Sequence, residues 1–263
     1  MMRPGVVTFL DALGVKGIWA RGEADSIAAT WQGVIEEFRA IEAKLNADPR
    51  VSADRCQVRA FSDTVIITLE GTPYHLLLQL MAEYLAGPFV HALLSGFYFR
   101  GVFTVGEFDG ESGSLLFGPA VDDAAAWYEH ADWIGVSTTP ASSFALESAV
   151  LMGHDFSSYF RKYQVPTGQG AKDSWSWALD WPQIALEEAS TEGMARKAFK
   201  ASLFDVFSRR PIVAPVYSKY EHTLMFFDET PDRGPVPVKE GTKQDVPDDE
   251  ERTGTPGPDH QSG

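Results

Sequence analysis

The order in which apolar, β-type runs alternate with helical periodicities most narrows the folds open to this chain. Val6-Val7-Thr8-Phe9-Leu10 reads as a buried strand, so residues 6–11 form the first element, and residues 12–17 follow as a glycine-containing turn. Ile27, Trp31, Val34, Ile35, Phe38, Ile41 and Leu45 then recur at helical spacing, with Glu36, Glu37, Arg39 and Lys44 between them, and residues 46–49 end that helix. Residues 56–69 read as a hairpin turning at Ser62-Asp63. A second helix opens with Thr72 as cap and Pro73 in its first turn, and buries Leu76, Leu77, Leu80, Met81, Tyr84 and Leu85. Residues 97–105 are the next strand, 114–117 a shorter one, 122–130 a helix and 133–137 a short strand.

That order is βαββαβ followed by βαβ, and its first six elements match a ferredoxin-like α+β unit. Two helices should then cover one face of an antiparallel sheet. The other face needs a cover, and a second copy of the chain is the expected one. Beyond residue 140 the signal weakens: 182–207 reads as one helix after the Trp177–Trp181 run, and 223–227 as a final strand. From residue 228 the composition turns to Pro, Gly, Asp, Glu, Lys and Thr, which predicts a disordered tail. The expected divisions are therefore 1–140, 141–227 and 228–263.

The chain has 263 residues, 44% of them hydrophobic, enough for a substantial core. Its single cysteine, Cys56, cannot form an internal disulfide and reads as a small core residue, which fits a cytoplasmic setting. The N-terminal run is too short and polar for a signal peptide, and no stretch reads as long enough to span a bilayer. A net charge of -15 disfavours nucleic acids and anionic membranes as partners. It also repels nucleotides, so any triphosphate site must reverse the field locally. The six histidines show no metal-ligand spacing, and there is no P-loop motif.

Two aspartates stand out against this background. Asp11 ends the first strand, and Asp63 sits in the hairpin turn. A carboxylate beside a core is costly unless something neutralises it. Two carboxylates at the ends of neighbouring strands can hold Mg²⁺ or Mn²⁺ against a triphosphate. Each aspartate also has an ordinary reading as a turn former.

Asp11, Asp63, the Arg100-Gly101-Val102-Phe103 strand and the Phe117-Gly118-Pro119-Ala120 lead into a helix, taken in order, resemble the catalytic domain of class III nucleotidyl cyclases over residues 5–137. The resemblance makes 1–140 a catalytic domain and 141–227 an extension packed on it. It implies two metal ions held by Asp11, Ala12 and Asp63, with Asp11 and Asp63 catalytic. The ribose 3′-hydroxyl would attack the α-phosphate and pyrophosphate would leave. Gly14 and Lys16 fall in the segment that would cradle phosphates. The family's base-reading lysine falls at Arg59, its second base-reading position near Leu115, its ribose-positioning asparagine at Asp122 and its transition-state arginine at Ala126. The purine-reading pair is thus missing. With the Lys219-Tyr220-x-His222-Thr223 segment, that pattern resembles the pyrimidine cyclases of Pycsar anti-phage systems. It implies UTP, or alternatively CTP, as substrate, a homodimer with sites at the interface, and a separate effector that reads the cyclic product.

Other readings stay open. Arg59 is either a base or phosphate contact or an arginine on the exposed hairpin face. Arg100 is a salt-bridged structural residue in the favoured reading, Lys16 a solvated loop lysine, and Asp122 part of an Asp122-Asp123 pair at a helix start. A non-catalytic nucleotide-binding module and a purine cyclase with altered base contacts are the rival functions. The Gly-Gly-Asp/Glu-Glu-Phe hairpin of diguanylate cyclases is replaced by Phe61-Ser62-Asp63-Thr64-Val65.

Overall fold

The computed structural model describes residues 1–14, 24–51, 55–110, 115–168, 174–191, 194–209, 212 and 214–231. Its spine is β1 (Arg3–Leu13), flanked on both sides along nearly its whole length. β3 (Thr64–Glu70) pairs with it antiparallel from Gly5↔Glu70 to Asp11↔Thr64, and β4 (Tyr98–Phe108) from Arg3↔Phe108 to Leu13↔Tyr98. β2 (Cys56–Phe61) closes the hairpin with β3 and lies at the sheet edge. The β1–β4 approach is close because Gly101 has no side chain; a Cβ there would collide with the Phe9 carbonyl and the Leu10 side chain.

α1 (Ala24–Ala47) and α2 (Tyr74–Leu94) join these strands in the order β1-α1-β2-β3-α2-β4. With all three strand pairs antiparallel and the order β2-β3-β1-β4, this is the ferredoxin-like α+β arrangement expected from the sequence. Val34, Ile35, Phe38, Ile41 and Leu45 of α1 are buried as their periodicity requires, while Ile27 and Trp31 are only partly covered. α2 differs from its expected start: Pro73 occupies the cap position and no side chain caps the helix, so Thr72 does not do so. α2 is also long and apolar enough by composition to cross a membrane, contrary to the sequence reading. It is mostly buried, because it runs between the sheet and further helices that cover its far side.

Those helices come from the second half of the chain. α3 (Pro119–Trp127) lies on the opposite face of the sheet, against β4 and β1. β5 (Gly135–Thr138) adds to β4 in parallel, and the hairpin β6 (Phe160–Val165)–β7 (Ser174–Leu179) extends the sheet to the order β2-β3-β1-β4-β5-β7-β6. α4 (Pro140–Leu151), α5 (Trp181–Thr191) and α6 (Arg196–Ser208) pack on α2. A 3₁₀ turn at Ala214–Val216 leads into α7 (Tyr217–Asp228). Residues 141–227 thus continue the same sheet and share its main core, in which Trp133, Trp181 and Phe226 are wholly buried beside Phe38 and Phe103.

Three local expectations are corrected. Residues 223–227 are helical: Thr223, Phe226 and Phe227 are buried at i, i+3 and i+4, and that 3.6-residue stripe overrides their β propensity. The helix expected over 182–207 is two helices, with the Met194 amide folding back to the Ala189 carbonyl at 2.8 Å. Phe117 makes only a single bridge to Asp109, and residues 111–114 lie outside the described residues. α4, β6 and β7 have no counterpart among the elements expected from the sequence. Most of the expected tail, residues 232–263, also lies outside the described residues.

Candidate metal and nucleotide site

Asp11 is the ninth residue of β1 and points to the face that carries α3, with Val7 and Phe9 of the same strand parity. Its cross-strand neighbours are Thr64 on β3 and Arg100 on β4. Asp63 follows Ser62, whose φ of 55° is the left-handed conformation that closes the two-residue turn. The Ala12 amide donates to the Asp63 carbonyl at 2.8 Å. That bond pins the hairpin turn to the strand beside Asp11, so two aspartates 52 positions apart in sequence become neighbours.

The electrostatics show the same proximity. Burial raises the Asp11 carboxyl above the usual carboxylate range; the charge and hydrogen bond of Arg100 oppose this, and the Asp63 and Glu129 carboxylates add to it. Arg100 donates from Nε to Asp11 Oδ2 at 3.0 Å and from Nη1 to the Glu129 carbonyl at 3.1 Å. Its guanidinium lies 5.4 Å from the centre of the Tyr128 ring, and that ring stacks on Phe9 at 4.7 Å. The Tyr128 hydroxyl donates to Glu129 at 2.9 Å and is pushed up to about 12, first by burial and then by Glu129. Arg100 is therefore salt-bridged, as favoured from sequence. That its partner is Asp11 was legible only from register, and Tyr128 and Glu129 carried no sequence signal.

The donor set suits a hard divalent cation. Asp11, Asp63 and the Ala12 carbonyl offer oxygens only, and among the described residues no third His, Cys, Asp or Glu joins them in a cluster. Mg²⁺ and Mn²⁺ accept one or two protein carboxylates when substrate phosphates complete the shell. Arg100 already holds one Asp11 oxygen, so a cation at Asp11 would share that carboxylate or displace the guanidinium.

The other expected residues fall around this pair unevenly. Gly14, at φ 74°, turns the chain out of β1; Lys16 and the rest of that turn lie outside the described residues. Arg59 pairs with Ile66, which pairs with Phe9, so it lies on the α3 face two strands from Asp11. Its Nη2 donates to Gln57 Oε1 at 2.6 Å and to the Gly110 carbonyl, while its buried Nη1 has no hydrogen-bond partner among the described residues. It is half-buried rather than free on an exposed hairpin face. Asp122 is exposed in the first turn of α3 and shares no hydrogen bond with Asp11 or Asp63 among the described residues. Its neighbour Asp123 instead accepts a 2.7 Å bond from Thr104. Leu115 and Ala126 are exposed and offer no polar side-chain atom.

Neither a protein-family model nor a curated protein matches the chain. Among solved structures it is similar to the catalytic core of a rhodopsin-guanylyl cyclase with converted specificity, at 12% identity and a TM-score of 0.49 over 68% of this chain and 97% of that one. It is also similar to the monomeric guanylyl cyclase domain of a RhoGC fusion protein from Blastocladiella emersonii, at 11% identity and a TM-score of 0.48 over 68% and 96% of the two chains. A class III adenylyl cyclase-like ATP-binding protein from Pseudomonas aeruginosa is 12% identical, with a TM-score of 0.40 over 55% of this chain and 35% of that one.

Proposed function

We propose that this chain is a nucleotidyl cyclase that converts UTP to 3′,5′-cyclic UMP and pyrophosphate. One observation carries the reading: the Ala12–Asp63 backbone bond that sets Asp63 beside the half-buried Asp11 at the end of the central strand. Asp11, Asp63 and the Ala12 carbonyl hold Mn²⁺ or Mg²⁺, two ions per site. When bound, the ions neutralise the triphosphate and ease loss of the ribose 3′-hydroxyl proton. The 3′-oxygen bonds to the α-phosphorus as the bond from that phosphorus to the β-phosphate oxygen breaks.

The protein's own part is positioning and charge. The Gly14 turn presents backbone to the phosphates, with Lys16 beyond it. Arg100 keeps Asp11 oriented and Asp11 in turn restrains Arg100. Arg59 is the base-side residue of this reading, a planar donor fork whose buried Nη1 has no hydrogen-bond partner among the described residues. Asp122 stands at the ribose position. The absence of a purine-reading pair at Arg59 and Leu115 supports a pyrimidine; UTP is the favoured substrate and CTP the alternative. In this reading the protein is the cytoplasmic signal generator of a Pycsar-type anti-phage system, and a separate cyclic-nucleotide-binding effector reads its product.

A homodimer with sites at the interface fits the surface on this side of the sheet. Phe61 is 84% exposed, Leu115 60% and Phe117 44%, and among the described residues α3 covers this face with a small second core. Light scattering of the chain and of Phe61→Glu tests this: a dimer that dissociates in the variant is expected, and a fully active monomer overturns it.

A second reading has its own observation. The Arg100–Asp11 ion pair already satisfies part of the carboxylate, and Ala126 occupies the transition-state position. A non-catalytic nucleotide-binding module would look like this. Incubation with each of UTP, CTP, ATP and GTP and Mn²⁺, followed by product analysis, separates the two. Cyclic UMP is expected; cyclic CMP alone moves the substrate to CTP, cyclic purine products alone refute the pyrimidine assignment, and binding with no product from any of the four favours the module.

A further inference from the structure

A second concave site lies on the same face of the sheet, away from the acidic pair. It is a cavity of about 250 Å³ between the end of α3, the start of α4 and strands β5 to β7. Ser137, on its wall, pairs with Val102, which pairs with Phe9. Strand spacing therefore puts the Ser137 backbone about 12 Å from that of Asp11.

Its walls and floor differ in chemistry. Trp127 and His130, whose ring centres lie 5.8 Å apart, line it together with Phe144 and Trp175. Phe144 is 73% exposed and Trp175 71%, an unusual cost for side chains of that size. The floor is a knot of hydroxyls. Thr138 Oγ1 lies 2.7 Å from Ser143 Oγ and 2.9 Å from Ser176 Oγ, and Ser176 donates to the Thr138 carbonyl at 2.7 Å. The Ser176 proton is committed to that carbonyl. Thr138 Oγ1 also reaches the Trp177 carbonyl at 3.1 Å; where it donates to Ser143 instead, the Ser143 hydroxyl can turn toward the cavity, and the Ser143 and Ser176 oxygens retain acceptor capacity. Among the described residues, no Asp, Glu, Lys or Arg lines the cavity.

We infer that this cavity binds a small, neutral, planar heterocycle with an amide-type edge, of nucleobase or nucleoside class. Aromatic walls take the faces of such a ring. A floor that both donates and accepts matches an edge carrying a carbonyl beside an N–H. The volume lies below the roughly 300–1,000 Å³ of drug-sized sites, which limits the occupant to one or two rings. With no Lys or Arg among its described lining residues, in a chain of net charge -15, the cavity disfavours a phosphorylated ligand. The inference stands apart from the cyclase reading, since it uses neither aspartate.

The test uses the full chain with uridine, cytidine, adenosine and guanosine as probes and inorganic phosphate as competitor. Binding is followed by tryptophan fluorescence and ligand-observed NMR. At least one nucleoside should bind, with Kd raised about tenfold or more in Trp175→Ala and in Ser143→Leu and unchanged in Asp63→Asn. Trp175→Ala alters an exposed side chain and keeps the test valid should Ser143→Leu fail to fold. The inference is overturned if no nucleoside binds up to its solubility, if Trp175→Ala leaves Kd unchanged, if Asp63→Asn abolishes binding, or if phosphate displaces the nucleoside. Loss of cyclase activity in Asp63→Asn bears on the other proposal alone.

Discussion

Arg100 and Asp11 face each other across β4 and β1 and are joined by a 3.0 Å bond from Nε to Oδ2. Both side chains are less than one-fifth exposed. The largely buried carboxylate thus has a counter-ion in the protein itself. In Arg100→Met, Asp11 should lose that partner and the protein about 1–3 kcal/mol of stability. Added Mn²⁺ should recover more stability in this variant than in the parent, because the freed carboxylate oxygen becomes available to it. Thermal unfolding across a Mn²⁺ titration checks this; equal Mn²⁺ shifts in the two proteins would show that Arg100 does not compete for the site.

Asp11→Ala and Asp63→Ala should each lower Mn²⁺-dependent turnover at least about a hundredfold, equivalent to ~2.7 kcal/mol of barrier. Neither should unfold the protein. Asp63 lies in a solvent-accessible turn, and Asp63→Ala keeps the backbone carbonyl that Ala12 bonds. Steady-state rates beside circular dichroism provide the check, and near-parental turnover in either variant would dismiss the metal assignment.

Acid stability should depend on Asp48, which is far from the site. Its carboxylate accepts bonds from Arg50 Nε and Nη2, from the Arg50 amide and, at 2.7 Å, from the Tyr84 hydroxyl. Arg50 foremost holds it well below the usual carboxylate range. A depressed folded pKa stabilises the native state above the unfolded value of about 3.9, and that contribution fades as pH falls through the folded value. Asp48→Asn should therefore cost about 2 kcal/mol at neutral pH, with the gap to the parent closing below about pH 4. Denaturant unfolding at a series of pH values measures it; a gap that widens on acidification would contradict the assignment.

Gly118 has φ 134°, and a Cβ there would lie 2.8 Å from both the Glu107 carbonyl oxygen and the Phe108 Cα. This glycine lets α3 start directly against β4. Gly118→Ala should destabilise the protein by about 1–3 kcal/mol and loosen α3, which hydrogen exchange of the Ala124 and Tyr128 amides would report. Parental stability in this variant would mean that the backbone can turn at this point without glycine.

The ferredoxin-like half was legible because its elements are locally coded. The α1 stripe from Val34 to Leu45 and the alternating arms around Ser62-Asp63 declare their periods within a few residues, and each element buries the face its period predicts. Asp11 and Asp63 stand out in the sequence for the same reason, since a carboxylate at the end of an apolar strand conflicts with its surroundings. What tertiary structure alone decided is register and sharing. Which cation meets Asp11 depends on the β1–β4 alignment, a contact across 89 residues that no local pattern encodes. The 223–227 run became helix because its aromatic residues complete a core stripe beside Trp133 and Trp181, not because of local preference. The hydroxyl floor at Thr138, Ser143 and Ser176 exists only because β7 inserts between β5 and β6, where long-range pairing outweighs the propensity of any single segment.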